Sequence, residues 1–167
     1  MKAMFLFPIL FAVLASCTKG ALPVKRSNSG AEVVNSSVNK TLLVNLVNTA
    51  REKGCQCGDT YFPPAPPVAW NDLLEKAAAA HSKDMLVNKY FSHTGPDGAN
   101  AGIRLERVGY PWKTYGENIA SGYASEQTVV EDWLKSPSHC KNIMNKSYRE
   151  MGVARAGNIW TQKFGTR

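Results

Sequence analysis

Residues 151–164 read MGVARAGNIWTQKF, and this stretch decides the fold. Met151-Gly152-Val153-Ala154 and Ile159-Trp160-Thr161-Gln162-Lys163-Phe164 look like two strands, and Arg155-Ala156-Gly157-Asn158 between them carries a hairpin signal. Upstream of this hairpin the chain reads mainly as helices. Ser138–Asn145 is a short helix after Pro137. Ser125–Lys135 is another, capped by Ser125, with Val129, Val130, Trp133 and Leu134 on its buried side. Ala99–Val108 is helical up to Gly109. Trp70–Tyr90 is the longest run, with Leu74, Ala77, Ala78, His81 and Met85 on one face. Asn39–Lys53 repeats Leu42, Leu46, Val47 and Ala50 at helical spacing and stops at Gly54. A weaker strand signal covers residues 116–121, and Pro63, Pro64, Pro66 and Pro67 hold the segment after Cys57 extended. Helices first and the clearest hairpin last predict an α+β domain, with helices packed on a small antiparallel sheet. His81, among apolar neighbours on its helix face, reads as a core histidine bonded to a backbone or side-chain group.

The N-terminus has a different character. After Met1-Lys2, residues 3–14 are AMFLFPILFAVL, too short for a spanning helix of ~20 residues and suited to a signal-peptide core. Leu14-Ala15-Ser16-Cys17 follows at once and matches a bacterial lipobox. Residues 1–16 are therefore expected to be a lipoprotein signal peptide, with Cys17 as the lipidated residue. Two or three acyl chains there give stable anchoring where one does not. Residues 17–37 are rich in polar, Gly and Ser residues and read as a flexible tether. The domain proper is expected over 38–167.

The 167-residue chain is 44% hydrophobic with a formal charge of +7, a globular composition. Its basic residues are scattered, without a dense run interleaved with aromatics, and the export signal argues against a nucleic-acid partner. Trp70, Trp112, Trp133 and Trp160 read as packing residues. Gly116 and Gly122 are expected to permit turns around the Glu117 strand, and no role beyond backbone freedom is expected of Gly152.

Five strings occur in order: HSKDMLVNKYFSH at 81–93, GENIASGY at 116–123, VVEDWLKSPSHCKNIMN at 129–145, MGVARA at 151–156 and WTQKFG at 160–165. Together they resemble the CAP superfamily, which includes the cysteine-rich secretory proteins and plant pathogenesis-related proteins, in its bacterial branch. The resemblance implies an α-β-α sandwich with a cleft built on two histidines and one or two glutamates. His93, Glu117 and His139 match the first histidine, the first glutamate and the second histidine. The further glutamate of many eukaryotic members falls at Ser136, and Glu131, on another face of its helix, does not take that role.

Two imidazoles and a carboxylate are a ligand set for zinc or another divalent cation, with water at an open position. Such an ion acidifies its water and supports hydrolysis. The competing reading is a hydrogen-bonded trio that fixes the loops beside the sheet. No GxSxG elbow accompanies the serines near the histidines. Cys140, adjacent to His139 on a helix, does not face it. Of the four cysteines, Cys17, Cys55, Cys57 and Cys140, one is left unpaired once Cys17 is lipidated. The resemblance implies a Cys57–Cys140 disulfide, with Cys55–Cys140 as the alternative pairing.

The expected protein is an exported, envelope-anchored, monomeric binding module. Its cleft would take a ligand or divalent metal, and a lipid, an envelope polymer or a protein are the candidate partners. The alternative is a metal-dependent hydrolase acting on peptide or cell-envelope polymer.

Overall fold

The computed structural model describes residues 37–167. The signal peptide, the lipobox and nearly all of the tether expected from the sequence lie outside the described residues.

Five helices and two sheets make up this part of the chain: α1 (Lys40–Lys53), β1 (Cys55–Cys57), β2 (Thr60–Phe62), β3 (Ala69–Trp70), α2 (Asp72–Val87), α3 (Ala101–Arg107), β4 (Thr114–Ser121), α4 (Glu126–Lys135), α5 (Pro137–Ile143), β5 (Glu150–Ala156) and β6 (Ile159–Thr166). The helix starts follow from capping chemistry. Asn39, Asn71, Asn100 and Ser125 hold extended backbone and accept hydrogen bonds from first-turn amides of α1, α2, α3 and α4. Pro137 stands in the first turn of α5, where a missing N–H costs nothing.

The main sheet has the order β3-β5-β6-β4. The expected hairpin is β5 and β6, paired antiparallel from Glu150↔Gly165 to Ala156↔Ile159, and Gly157 supplies the positive φ (56°) of its turn. Strand β4 pairs antiparallel with the other side of β6, with Glu117 opposite Lys163 and Asn118 opposite Gln162. Two features depart from the sequence reading. Trp70 belongs to β3, which runs parallel to β5, because α2 begins only after its Asn71 cap. Residues 55–62 form a small antiparallel hairpin, β1 and β2, turning at Gly58 with φ 64°.

Both faces of the main sheet are covered, which gives the α-β-α arrangement. On one face Met151, Val153, Trp160 and Phe164 form a single buried cluster with Leu43 and Val47 of α1, Val129, Val130 and Trp133 of α4, and Ile143 of α5. On the other face α2 lies directly on β5. A Cβ at Gly152 would sit 2.2 Å from the backbone nitrogen of Glu75. Gly152 is thus a close-approach residue, which corrects the expectation of backbone freedom alone. Gly116 is also a contact position rather than a turn: a Cβ there would lie 2.5 Å from the hydroxyl of Tyr148. Gly122, at φ 96°, does serve a turn.

Arg51 is the buried polar anchor of the α1 side. It has no exposed surface. Its guanidinium donates to the carbonyls of Pro66 (2.7 Å), Ile143 (2.6 Å), Asn145 (3.1 Å) and Tyr148 (3.2 Å), tying α1 to the end of α5.

Candidate functional site

Strand alternation sets up the site. Glu117 and Lys163, register partners, point to the α2 and α3 face, while Asn118 and Gln162 point to the α5 face. The Glu117 carboxylate is buried and receives donors from three elements. His93, in the loop after α2, gives Nδ1 to Oε1 at 2.7 Å. Arg104 of α3 gives Nη2 to both oxygens at 3.1 and 3.0 Å. Lys163 gives its ammonium to Oε2.

Burial alone would raise the Glu117 carboxyl. The His93 hydrogen bond and the charges of Lys163 and Arg104 outweigh it and hold the group at about 2. Burial pushes the Lys163 ammonium down to about 8 against the pull of Glu117. Because Glu117 is ionised and can only accept, His93 Nδ1 carries the proton, and its Nε2 is the nitrogen left for an outside partner. The His93 side chain is 56% exposed, so that partner has access.

Arg104 also donates to the carbonyls of His93 (2.7 Å) and Ala99 (2.7 Å), fixing the loop that carries His93. His139 sits on α5. Its position is set through Asn118, whose amide donates to the His139 carbonyl at 3.2 Å and to Gln162 Oε1 at 2.9 Å. Asn142 closes the network by donating to the Glu117 carbonyl at 3.0 Å and to Asn118 Oδ1 at 2.9 Å. Burial lowers the His139 imidazole, and the nearby His93 lowers it further, against a smaller pull from Asp132. His139 Nδ1 is buried with no hydrogen-bond partner among the described residues.

His81 is the fully buried core residue expected. The Ser92 backbone is its hydrogen-bonding neighbour, in a contact that falls short of ideal geometry. Its Nε2 also lies 3.9 Å from Glu117 Oε1. Burial pushes its imidazole down to about 4 against the pull of Glu117, with Arg104 and Lys163 adding to the fall. It is a neutral wall of the Glu117 cluster. An open cavity of about 700 Å³ borders it on the α2 and α3 side, lined in part by Asp84, Asp97, Arg104 and Arg107.

The structure thus places His93 against Glu117 and sets His139 beside the same strand. It adds Arg104, Lys163 and His81, which the sequence reading did not assign to the site. Ser136, where a second glutamate would fall, is the junction between α4 and α5. Trp112 packs edge-on to Tyr115 at 4.7 Å in a separate apolar cluster, as a packing residue.

The donor set bears on metal binding. Glu117 spends both oxygens on protein donors, so it fits the outer carboxylate that orients a histidine ligand and does not fit a ligand itself. His93 and His139 remain as imidazole donors. The tightest trio of ligand-type atoms among the described residues is elsewhere: the sulfurs of Cys55, Cys57 and Cys140, all within 4.8 Å of one another. Cys57 and Cys140 are joined as a disulfide that spans 83 residues, and Cys55 is free.

Comparison with known proteins agrees with this architecture. Residues 44–164 match the model of the cysteine-rich secretory protein family, CAP. The chain belongs to the CAP family. A curated relative is the uncharacterised protein YkwD of Bacillus subtilis (strain 168), 31% identical over 152 residues, covering 89% of this chain and 56% of that protein. Among solved structures, the chain is similar to an extracellular protein containing an SCP domain from Bacillus anthracis str. Ames, with 30% identity and a TM-score of 0.68 over 77% of this chain and 40% of that one. It also shares its fold with an outer surface protein from Borrelia burgdorferi, at 24% identity and a TM-score of 0.65, covering 76% of this chain and 91% of that one. The chain thus spans little more than half of YkwD.

Proposed function

We propose that this chain is an exported CAP domain, held at the cell envelope by a lipidated Cys17, whose cleft is a binding site rather than a catalytic one. His93 and His139 face the ligand, and Glu117 orients His93 from behind. One observation carries this reading: the buried Glu117 carboxylate, held at about 2, is committed to His93, Arg104 and Lys163. A general base works best with a pKa near the operating pH. A carboxylate at about 2 is a poor proton acceptor and a good fixed anion.

A divalent cation such as zinc fits the two imidazoles. His139 is half-buried with its Nδ1 enclosed, so its Nε2 and the Nε2 of the exposed His93 ring are the donors on offer. Two protein ligands leave the remaining positions to water or to the oxygens of a lipid, polymer or protein ligand. When bound, the ion supplies Lewis acidity and a bridging charge. The chain's own residues supply orientation.

The apolar run 3–14 and Leu14-Ala15-Ser16-Cys17 support export and anchoring. No helix among the described residues is long and apolar enough to cross a membrane. The Bacillus anthracis relative is described as extracellular, which is consistent with this placement.

Calorimetric titration with zinc chloride tests the binding reading. The wild-type chain should take up one ion, His93→Ala and His139→Ala should each abolish uptake, and circular dichroism should show both variants folded. Absence of uptake by the wild type, or full uptake by both variants, would overturn it.

A further inference from the structure

Cys55 is the free cysteine among the described residues, yet it is not isolated. Its sulfur lies 3.5 Å from Cys140 Sγ, and Cys140 is bonded to Cys57. Cys55 and Cys57 stand two residues apart on β1, and side chains at that spacing share a strand face. Both can therefore reach the same cysteine of α5 without a change in the face that β1 presents.

We propose that Cys55 is a thiol–disulfide exchange site whose substrate is the chain's own Cys57–Cys140 disulfide. The Cys55 thiol loses its proton to solvent, and the thiolate attacks Cys140 Sγ. The Cys55–Cys140 bond forms as the Cys57–Cys140 bond breaks, and the electron pair leaves on Cys57 Sγ, which takes up a proton. One disulfide and one thiol are present before and after, so no oxidant or reductant is needed.

Loop closure barely distinguishes the two isomers, since the bridges span 83 and 85 residues. Burial is what differs. Cys57 is 1% exposed and Cys55 is half-buried, so the present pairing leaves the more accessible sulfur as the free thiol. Burial also holds the Cys55 thiol up, keeping it mostly protonated and the exchange slow. Exchange moves the free thiol from half-buried Cys55 to fully buried Cys57 and back.

Two-stage alkylation of the full chain tests this. In one sample, exchange is stopped with acid, the chain is unfolded, and free thiols are labelled with N-ethylmaleimide. A second sample is first incubated natively for hours with isotopically light reagent, then unfolded and labelled with heavy reagent. Fragment-ion sequencing of the peptide that carries both cysteines locates each label. The quenched sample should carry label on Cys55 and on Cys57 in separate molecules. Native prelabelling should trap every chain at Cys55, with complete loss of label from Cys57. A Cys55→Ser variant should leave Cys57 unlabelled throughout. Label confined to Cys55 in the quenched wild type would overturn the proposal, because only one isomer would exist. Heavy label persisting on Cys57 would overturn it too, because the isomers would not interconvert.

Discussion

Glu117 on β4 and Lys163 on β6 are register partners whose oppositely charged side chains meet in the interior, beside a second cation, Arg104. Removing the single anion would leave two cations buried without it. Glu117→Ala should therefore destabilise the domain by about 3–5 kcal/mol, the usual cost of breaking a buried pair from one side. Urea unfolding checks this. A loss below about 1 kcal/mol would show that the cluster is solvated and loosely held.

Acid should weaken the fold in two stages. Unfolded His81 takes up a proton near 6.5, whereas the folded imidazole resists until about 4. In that window the unfolded state binds more protons, so stability falls as pH falls, by up to about 3 kcal/mol by pH 4. His139, also lowered by burial, adds to the loss with the same sign. Glu117 contributes stability that is complete above about 4.5 and lost as pH falls toward about 2. Melting temperatures measured from pH 7 to pH 3 should decline throughout. His81→Gln should shrink the decline above pH 4.5 to the share due to His139 and leave the lower segment.

Gly152→Ala should disrupt the α2 face. The added methyl would meet α2 backbone at 2.2 Å, and backbone cannot swing aside as a flexible side chain does. Overpacking of this kind costs about 1–3 kcal/mol or more. Gly109→Ala is a useful contrast. A Cβ there meets nothing within 4 Å, so its cost is limited to the strain of φ 78°. Thermal melts of the two variants should rank Gly152→Ala as the less stable.

Cys17→Ser should move the protein from the membrane fraction to the soluble exported fraction. Membrane retention unchanged by this substitution would contradict the lipid-anchor proposal.

The order of helices and the closing hairpin were legible because their signals are local: capping residues, a 3.6-residue period and a turn glycine. The two-residue β3 was not, since Trp70 pairs with Met151 far along the chain and has no periodic pattern of its own. The ordered motifs singled out His93 and Glu117, which meet at 2.7 Å, and His139, whose carbonyl is held by Asn118 of the same strand. Arg104 and Lys163 were hidden by the opposite problem. A charge on a short helix or an alternating strand reads as solvent-facing until the covering layer is known, and both cations are buried here by α2 and the loop it leads into. His81 carried the right signal, a polar residue on an apolar face. Its actual neighbour, Glu117, lies on a strand that no helix-based pattern could place.

The central claim is that Glu117 holds His93 by Nδ1 and turns Nε2 toward the ligand. Nitrogen-15 NMR of the His93 ring, recorded above neutral pH with and without zinc, tests it directly. The metal-free protein should show a protonated Nδ1 and a bare Nε2, with zinc shifting Nε2 alone. A ring protonated at Nε2, or one that zinc leaves unchanged, would contradict the claim.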